Sequence, residues 1–255
     1  TVSITKAVLE GLADFADSAV ITFNAKIADK AGNSTEGTAS ATTLTVIQSL
    51  PQINSVSVAS NNALTTTRAR SGETITYSIT YNKPVTASIT SASTAFNVAT
   101  AVTSDAQASS SASDTIVFTV ATGDNGAVTP NNIDFTIVDA AGNPVAITSL
   151  GSVTGSVSAD TTAPGSFTAG SVITTGGTVV AGYWNSTNTG LQVTVPIDND
   201  PTLTDGLVQI EAKIGANAYA NLGTSGTILV GQLNGTHTVS ITKAVLEGLA
   251  DFADS

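Results

Sequence analysis

The segment ETITYSITYNKP, at residues 73–84, decides the fold of this 255-residue chain. Its apolar side chains, Ile75, Tyr77, Ile79 and Tyr81, stand at every second position, with Thr and Ser between them. Because successive side chains of a strand point to opposite faces, this alternation predicts a β-strand that buries one face. Such a face needs a second layer to cover it, so the segment predicts two packed sheets.

The same alternation recurs along the chain and predicts one fold class throughout. Turn-forming Gly, Asn, Asp and Pro bound each alternating run, as expected for strands. The runs are Ile53, Val56 and Val58; Ile116, Phe118 and Val120; Ile133, Phe135 and Ile137; Leu191, Val193, Val195 and Ile197; Val208, Ile210, Ala212 and Ile214; and Ile21, Phe23, Ala25 and Ile27. The sequence therefore predicts an all-β chain of β-sandwiches.

The two ends of the chain carry the same eighteen residues. TVSITKAVLEGLADFADS occupies residues 1–18 and again residues 238–255, an offset of 237 positions. A repeat this faithful predicts a tandem array, of which the chain holds a little more than one period. We expect a strand over THTVSITKAVL at residues 236–246. A short helical or irregular crossing should follow over residues 247–255, although one amphipathic helix over all eighteen residues is an alternative.

Pro-containing junctions divide the chain into modules. Breaks at Leu50–Pro51 and in SADTTAP, residues 158–164, predict a complete smaller module over residues 52–160. Residues 1–51 are then the C-terminal part of a larger module, and residues 161–255 are the N-terminal part of the next copy of that module. Joined through the shared segment, 161–255 and 19–51 would form one sandwich, in which Leu249 and Phe252 close the end of the core.

The composition argues against several classes of function. The net charge of −11 argues against nucleic acid and anionic membrane surfaces as partners, and is compatible with bound cations. No apolar run is long enough to predict a membrane-spanning helix. The chain has no Cys and a single His, His237, at the start of a predicted strand. Nucleophile and base chemistry lacks its usual residues, so we do not expect an enzyme.

Several short motifs resemble one family. DAAGN at 139–143 and DKAGN at 29–33 each follow an alternating strand. GET at 72–74 and NKPV at 82–85 precede DAAGN in the chain. Together with SADTTAP, these motifs resemble the bacterial immunoglobulin-like (Big-type) tandem-repeat domains of giant surface adhesins and surface filament proteins. The resemblance implies immunoglobulin-like Greek-key sandwiches in an elongated array, located outside the cell at the bacterial surface.

Acidic side chains in loops suggest a calcium site. In each Asp-x-Ala-Gly-Asn turn the Asp can accept backbone hydrogen bonds, and that structural role explains the motif by itself. Alternatively, Asp139 or Asp29 also holds Ca²⁺ together with the junction carboxylate Asp160, because Ca²⁺ prefers loop carboxylates and carbonyls. In the larger module the acidic loop IDNDPTLTDG offers Asp198, Asp200 and Asp205.

Three functions remain open at this level. The first is a structural segment of an extracellular tandem-repeat stalk or filament that supports adhesion or a surface coat, with neighbouring repeats as partners and lateral self-association through sheet edges. The second is a subunit of a non-covalent fibre, assembled by strand donation between incomplete modules. The third is a glycan-binding module that uses Tyr183–Trp184 or the loop Asp198–Asp205, although a lone Trp more often caps a core.

Overall fold

The structure, a computed structural model, describes residues 2–89, 102–104, 110–129 and 135–253. The chain divides into two compact units, Thr1–Thr162 and Ala163–Ser255, called here the first and the second unit. Strands hold 41% of the described residues and the helices are few and short, so the all-β prediction is confirmed. Ile133, which we place in a predicted strand, lies outside the described residues.

Short elements dominate both units. The first unit contains α1 (Lys6–Glu10), β1 (Val20–Thr22), β2 (Lys26–Ala28), β3 (Ser34–Glu36), β4 (Thr43–Thr45), β5 (Ile53–Ser60), β6 (Arg68–Ala69), β7 (Thr74–Ile89), β8 (Val102–Ser104), β9 (Ser111–Thr119), β10 (Gly126–Val128), β11 (Phe135–Asp139), β12 (Pro144–Ile147), β13 (Val153–Thr154) and β14 (Val157–Ala159). The second unit contains β15 (Val172–Thr175), β16 (Gly190–Ile197), β17 (Leu207–Val208), β18 (Glu211–Ala212), β19 (Ala220–Asn221), β20 (Gly226–Thr227), β21 (Gly235–Thr242) and α2 (Lys243–Leu246), with 3₁₀ turns at Pro201–Leu203 and Val230–Gln232.

Strand β7 organises the first unit. It pairs with β5, β9 and β11, all antiparallel, and so lies at the centre of the larger sheet. Its alternating residues Ile75, Tyr77, Ile79 and Tyr81 are all buried, as the sequence predicts. The strand continues through Lys83 and Pro84 rather than ending there, and its pairing with β9 shifts between Thr80 and Val85.

A bulge explains an irregular spacing in β5. Ile53 and Val56 are three residues apart, an odd number that would place them on opposite faces of a regular strand. The register against β7 shifts between Ile53 and Ser55, where one extra residue is accommodated. The shift restores the alternation, so that Val56 is buried and Ile53 packs against the same core.

A second sheet closes this core from another side. Strands β10, β14 and β6 form a three-stranded sheet, in which β14 and β6 run parallel. Val128, Val157 and Ala159 from this sheet belong to the same buried cluster as Phe118 and Ile137 from the larger sheet. Two sheets sharing one core are compatible with a β-sandwich.

The second unit has a smaller set of paired strands. β15, β16 and β21 form one sheet, while β17 pairs with β20 and β18 pairs with β19 as two short ribbons. β16 and β21 are in register over their full eight residues, from Gly190 opposite Thr242 to Ile197 opposite Gly235. Their inward residues build a core with the ribbons, which consists of Leu191, Val193, Val195, Ile197, Val208, Ile210, Leu222, Ile228, Val239 and Ile241.

The two copies of the repeated segment have the same backbone around their short helix. Thr5 and Thr242, which precede α1 and α2, both have φ −78° and ψ 157°, and Asp14 and Asp251 both adopt positive φ. The helix begins at Lys6 or Lys243, so the prediction that KAVL continues the strand is wrong. The Lys-Ala-Val-Leu run has only one β-branched residue, and its other three side chains favour helix.

The environments of the two copies differ sharply. In the second copy Val239 and Ile241 lie in β21 and are 7% and 3% exposed. Their counterparts Val2 and Ile4 lie outside any strand and are 91% and 56% exposed. Identical residues therefore have a covering layer at one end of the chain and lack it at the other.

This difference provides a matched pair of variants. Ile241→Ala should lower the free energy of unfolding by about 2–5 kcal/mol, because it removes buried methyl groups and leaves a cavity. Ile4→Ala, the same change at an exposed position, should stay within about 0.5 kcal/mol. Urea unfolding of the two variants measures both effects. Equal losses would mean that Ile4 is also buried in solution.

Candidate functional site

The DAAGN turn places a carboxylate on the buried face of a strand. In β11 the inward positions are Phe135, Ile137 and Asp139, and Asp139 is only 6% exposed. Asp139 Oδ1 accepts hydrogen bonds from the backbone N–H groups of Ala141 and Asn143, both at 3.0 Å. Gly142 has φ +87°, which a residue with a side chain rarely adopts, so the chain reverses tightly after the strand.

The turn also reaches the segment that leads into β5. Asn143 donates from Nδ2 both to Asp139 Oδ2, at 3.0 Å, and to the carbonyl of Ile47, at 3.1 Å. Lys83 Nζ lies 3.7 Å from Asp139 Oδ2 and donates to the carbonyl and hydroxyl oxygens of Ser49, each at 2.6 Å. The lysine and the asparagine thus connect the turn to residues 47–49 by two independent routes.

The end of the first repeated segment joins the same group. Asp17 Oδ1 accepts from the backbone N–H groups of Gln48 at 2.6 Å and Ser49 at 3.1 Å, and Oδ2 accepts from the Ser49 hydroxyl at 2.6 Å. Ser49 Oγ therefore donates to Asp17 while it accepts from Lys83. We call Asp17, Ser49, Lys83, Asp139 and Asn143 the linker cluster.

Both carboxylates of the linker cluster are held in their charged form. The Ser49 hydroxyl, with the backbone N–H groups of Gln48 and Ser49, lowers the pKa of Asp17 to about 2. The amide of Asn143 is the largest cause of a lowered pKa at Asp139, and the Lys83 ammonium adds to it. A buried carboxylate that is surrounded by protein donors serves as a structural anchor. The cation that faces it in this structure is a lysine.

The second copy of the turn motif shows which contacts of the Asp come from the motif itself and which come from the rest of the fold. In DKAGN, Asp29 Oδ1 accepts from the N–H groups of Ala31 and Asn33, both at 2.9 Å, and Oδ2 accepts from Asn33 Nδ2 at 3.0 Å. The Asn33 amide is also the main cause of the lowered pKa of Asp29. Asp29 is exposed, however. The five-residue motif alone encodes the turn, whereas burial and the contact with lysine at Asp139 depend on the rest of the fold.

The remaining carboxylates predicted for calcium have separate contacts. Asp160 accepts from the N–H of Thr162 at 3.1 Å, and Asp200 caps the 3₁₀ turn at Pro201–Leu203 by accepting from the N–H and hydroxyl of Thr202. The Asp198 carboxylate lies against Gly165, and Asp205 adopts φ +64°. Across the described residues, no three Asp, Glu, His or Cys side chains come together as metal ligands. Calcium binding at these carboxylates stays a prediction.

The aromatic pair and the histidine lie in the second unit. Tyr183 is exposed, whereas Trp184 is half-buried and donates from Nε1 to Glu247 Oε1 at 3.4 Å. His237 is half-buried, with Nδ1 2.9 Å from Gln232 Oε1. Trp184 therefore contacts the second repeated segment beside α2. A glycan platform at Tyr183–Trp184 stays a prediction.

Of the linker cluster, sequence reasoning named only Asp139 as a site residue and missed Asp17, Ser49, Lys83 and Asn143. The motifs NKPV and DAAGN contain Lys83 and Asp139, but 56 positions separate the two residues in the chain. The usable signal was the period-two pattern that continues from Phe135 and Ile137 to Asp139, since it predicts a carboxylate on the buried face. A buried carboxylate needs a donor partner, and only the fold identifies that partner as Lys83.

The two turns provide a matched test of the linker cluster. Asp139→Asn should destabilise the first unit by about 1–3 kcal/mol, because the new amide group places a donor against the donors of Asn143 and Lys83 in a buried site. Asp29→Asn makes the same change in an exposed copy of the turn, where water can satisfy the amide, and should cost much less. Urea unfolding of both variants measures the difference, and equal losses would contradict a special role of the buried carboxylate.

The linker cluster should also make stability depend on pH. The pKa of Asp17 is lowered to about 2 from about 3.9 in unfolded chains, so its ionised form stabilises the fold above about pH 4. That contribution is lost as the pH falls from about 4 towards 2. Asp17→Asn should therefore be less stable than the natural chain at about pH 5, and the gap should narrow below about pH 4 until little of it remains at about pH 2. Denaturant midpoints at both pH values measure this, and a constant gap would refute it.

Comparisons with known proteins identified no relative of this chain. No protein-family model matches the chain, and searches of curated proteins and of solved structures found no match. Over the ranges that the structure describes, no helix combines the length and apolarity needed to cross a membrane. Any functional proposal therefore depends on the repeat, the two units and the linker cluster.

Proposed function

We propose that the chain is a structural segment of an extracellular tandem-repeat protein, which forms a stalk or filament for adhesion or surface coating on a bacterial cell. The observation that carries this proposal is the eighteen-residue repeat at residues 1–18 and 238–255, whose two copies begin the same short helix after Thr5 and Thr242. The proposal includes immunoglobulin-like modules of the Big type, which the motifs of the sequence resemble.

The contacts of the two copies support a repeating module. The first copy contacts residues that follow it, since Ser18 N–H donates to the carbonyl of Val46 and Asp17 accepts from Gln48 and Ser49. The second copy contacts residues that precede it, through the pairing of β21 with β16 and through Lys243 and Glu247. One copy within a continuous array would make both sets of contacts at once.

The linker cluster supports a stiff connection between modules. It ties the segment 47–49, which lies between the bulk of the proposed module 1–51 and the module 52–160, to Lys83 and Asn143 by hydrogen bonds of 2.6–3.1 Å. The cluster includes a half-buried lysine and a buried carboxylate, and breaking such a pair is costly. A connection with these contacts resists bending, which is the property that a stalk needs.

The composition supports a structural rather than a catalytic role. Charged residues make up only 11% of the chain, and the single His is bonded to Gln232. Repetition of one module lengthens a stalk without new chemistry. We therefore propose no catalytic activity for this chain.

The mass of the native polypeptide under denaturing conditions tests the proposal. A covalent stalk predicts a mass of many multiples of the 237-residue period, read by large-pore gel or mass spectrometry. A native mass near that of one 255-residue chain, 25.3 kDa, would contradict it. That result would favour the non-covalent fibre, in which one molecule completes the incomplete module of the next.

A further inference from the structure

The second unit contains an open apolar cleft of about 490 Å³. Its lining includes Leu191, Val193 and Val195 from β16, Ile210 and Leu222 from around the ribbons, and Leu246 from α2. Large apolar side chains at its rim stay exposed, including Phe167 at 63%, Val172 and Tyr219. A contiguous apolar surface of this kind marks a binding surface or an uncovered core.

The first unit contains a segment whose apolar side chains lack a covering layer. Residues 19–46 form two short antiparallel pairs, β1 with β4 and β2 with β3. In the alternating run of this segment, Ile27 is 77% exposed, and Ile21 and Phe23 are only half-buried. Val20 and Leu44 are also exposed. The segment therefore carries apolar side chains that no second layer covers.

The repeat relates the cleft to that segment. Residues 19–46 follow the first copy directly, and backbone hydrogen bonds at their start join Ser18 to Val46 and Val46 to Ala19. In the second unit Leu246 of the second copy lines the cleft and Leu249 packs against its core. A chain that continues from the second copy as it does from the first is therefore separated from Leu249 by only six residues.

The two sets of contacts are chemically compatible in one copy. Glu10 Oε1 accepts from Gln48 Nε2 at 3.1 Å, and its counterpart Glu247 Oε1 accepts from Trp184 Nε1 at 3.4 Å. A carboxylate oxygen can accept two hydrogen bonds, so both partners fit on one glutamate. Each copy also keeps its lysine–glutamate pair, Lys6–Glu10 at 3.6 Å or Lys243–Glu247 at 3.7 Å.

We propose that the cleft of the second unit is the docking site for a segment with the sequence of residues 19–46, which continues from the second repeated segment in the same polypeptide. This inference rests on the tandem repeat of the proposed function. The apolar side chains of Ile21, Phe23 and Ile27 cover the exposed rim residues Phe167 and Val172. The docked segment completes the core that β15, β16 and β21 share with the two ribbons.

A single cysteine reports on the cleft, because the natural chain has no Cys. Phe167→Cys is introduced into the 255-residue chain and into the same chain extended after Ser255 by a second copy of residues 19–51. We expect the extension to slow the reaction of the introduced thiol with a maleimide about tenfold or more, because a covered side chain reacts only after local opening. Val172→Cys, on β15, serves as a second reporter in case Phe167→Cys disturbs the fold.

Two controls identify the cause of the slowing. In the first, the appended copy carries Asp at the positions that correspond to Ile21, Phe23 and Ile27, and it should give no protection. In the second, Leu64→Cys reports from an exposed position in the first unit, and its rate should not change with the extension. Circular dichroism checks that every chain is folded.

Two outcomes would overturn the inference. Equal rates with and without the extension would mean that the segment does not dock in the cleft. Slow labelling of the unextended chain that becomes faster on dilution would mean that a second molecule fills the cleft instead of the same polypeptide. Neither outcome alters the native mass, so a failure of this inference is distinguishable from a failure of the proposed stalk.

Discussion

An alternating strand is stable only where a second layer covers its apolar face, and every major feature of this chain follows from that constraint. In the first unit the apolar face of β7 is covered, because Val128, Val157 and Ala159 of the second sheet belong to the same core. Ile4 and Ile241 show the constraint most directly, since one sequence is exposed in one place and buried in the other. Whether such a side chain is buried therefore depends on which residues of the rest of the chain pack against it.

The linker cluster shows how a polar group is placed inside such a core. Asp139 continues the inward-facing pattern of β11, so its carboxylate is removed from water and must be satisfied by protein donors. The turn itself supplies two N–H groups and the Asn143 amide, and Lys83 supplies the positive charge. The same lysine and asparagine bind the carbonyls of Ser49 and Ile47, so satisfying the carboxylate also fixes the segment before β5.

The proposed tandem array would give the repeat, the cleft and the uncovered side chains of residues 19–46 one common explanation. In that proposal each belongs to a larger module that the shared eighteen residues join, with upstream contacts around residues 238–249 and downstream contacts around residues 10–18. A protein built in this way would gain length by repetition, with joints held by side-chain hydrogen bonds. The proposed surface stalk unites these observations without requiring any catalytic group.

The sequence by itself determined the fold class, the period and the local turns. Period-two apolar patterns specify strands because side chains alternate across a sheet, and Asp-x-Ala-Gly-Asn specifies its turn because its hydrogen bonds lie within five residues, as the exposed Asp29 copy demonstrates. Only the tertiary structure decided that β5 contains a bulge after Ile53, and that Lys83 and Ser49 join Asp139 in one cluster. These features depend on register and on residues far apart in the chain, and a local pattern contains no information about either.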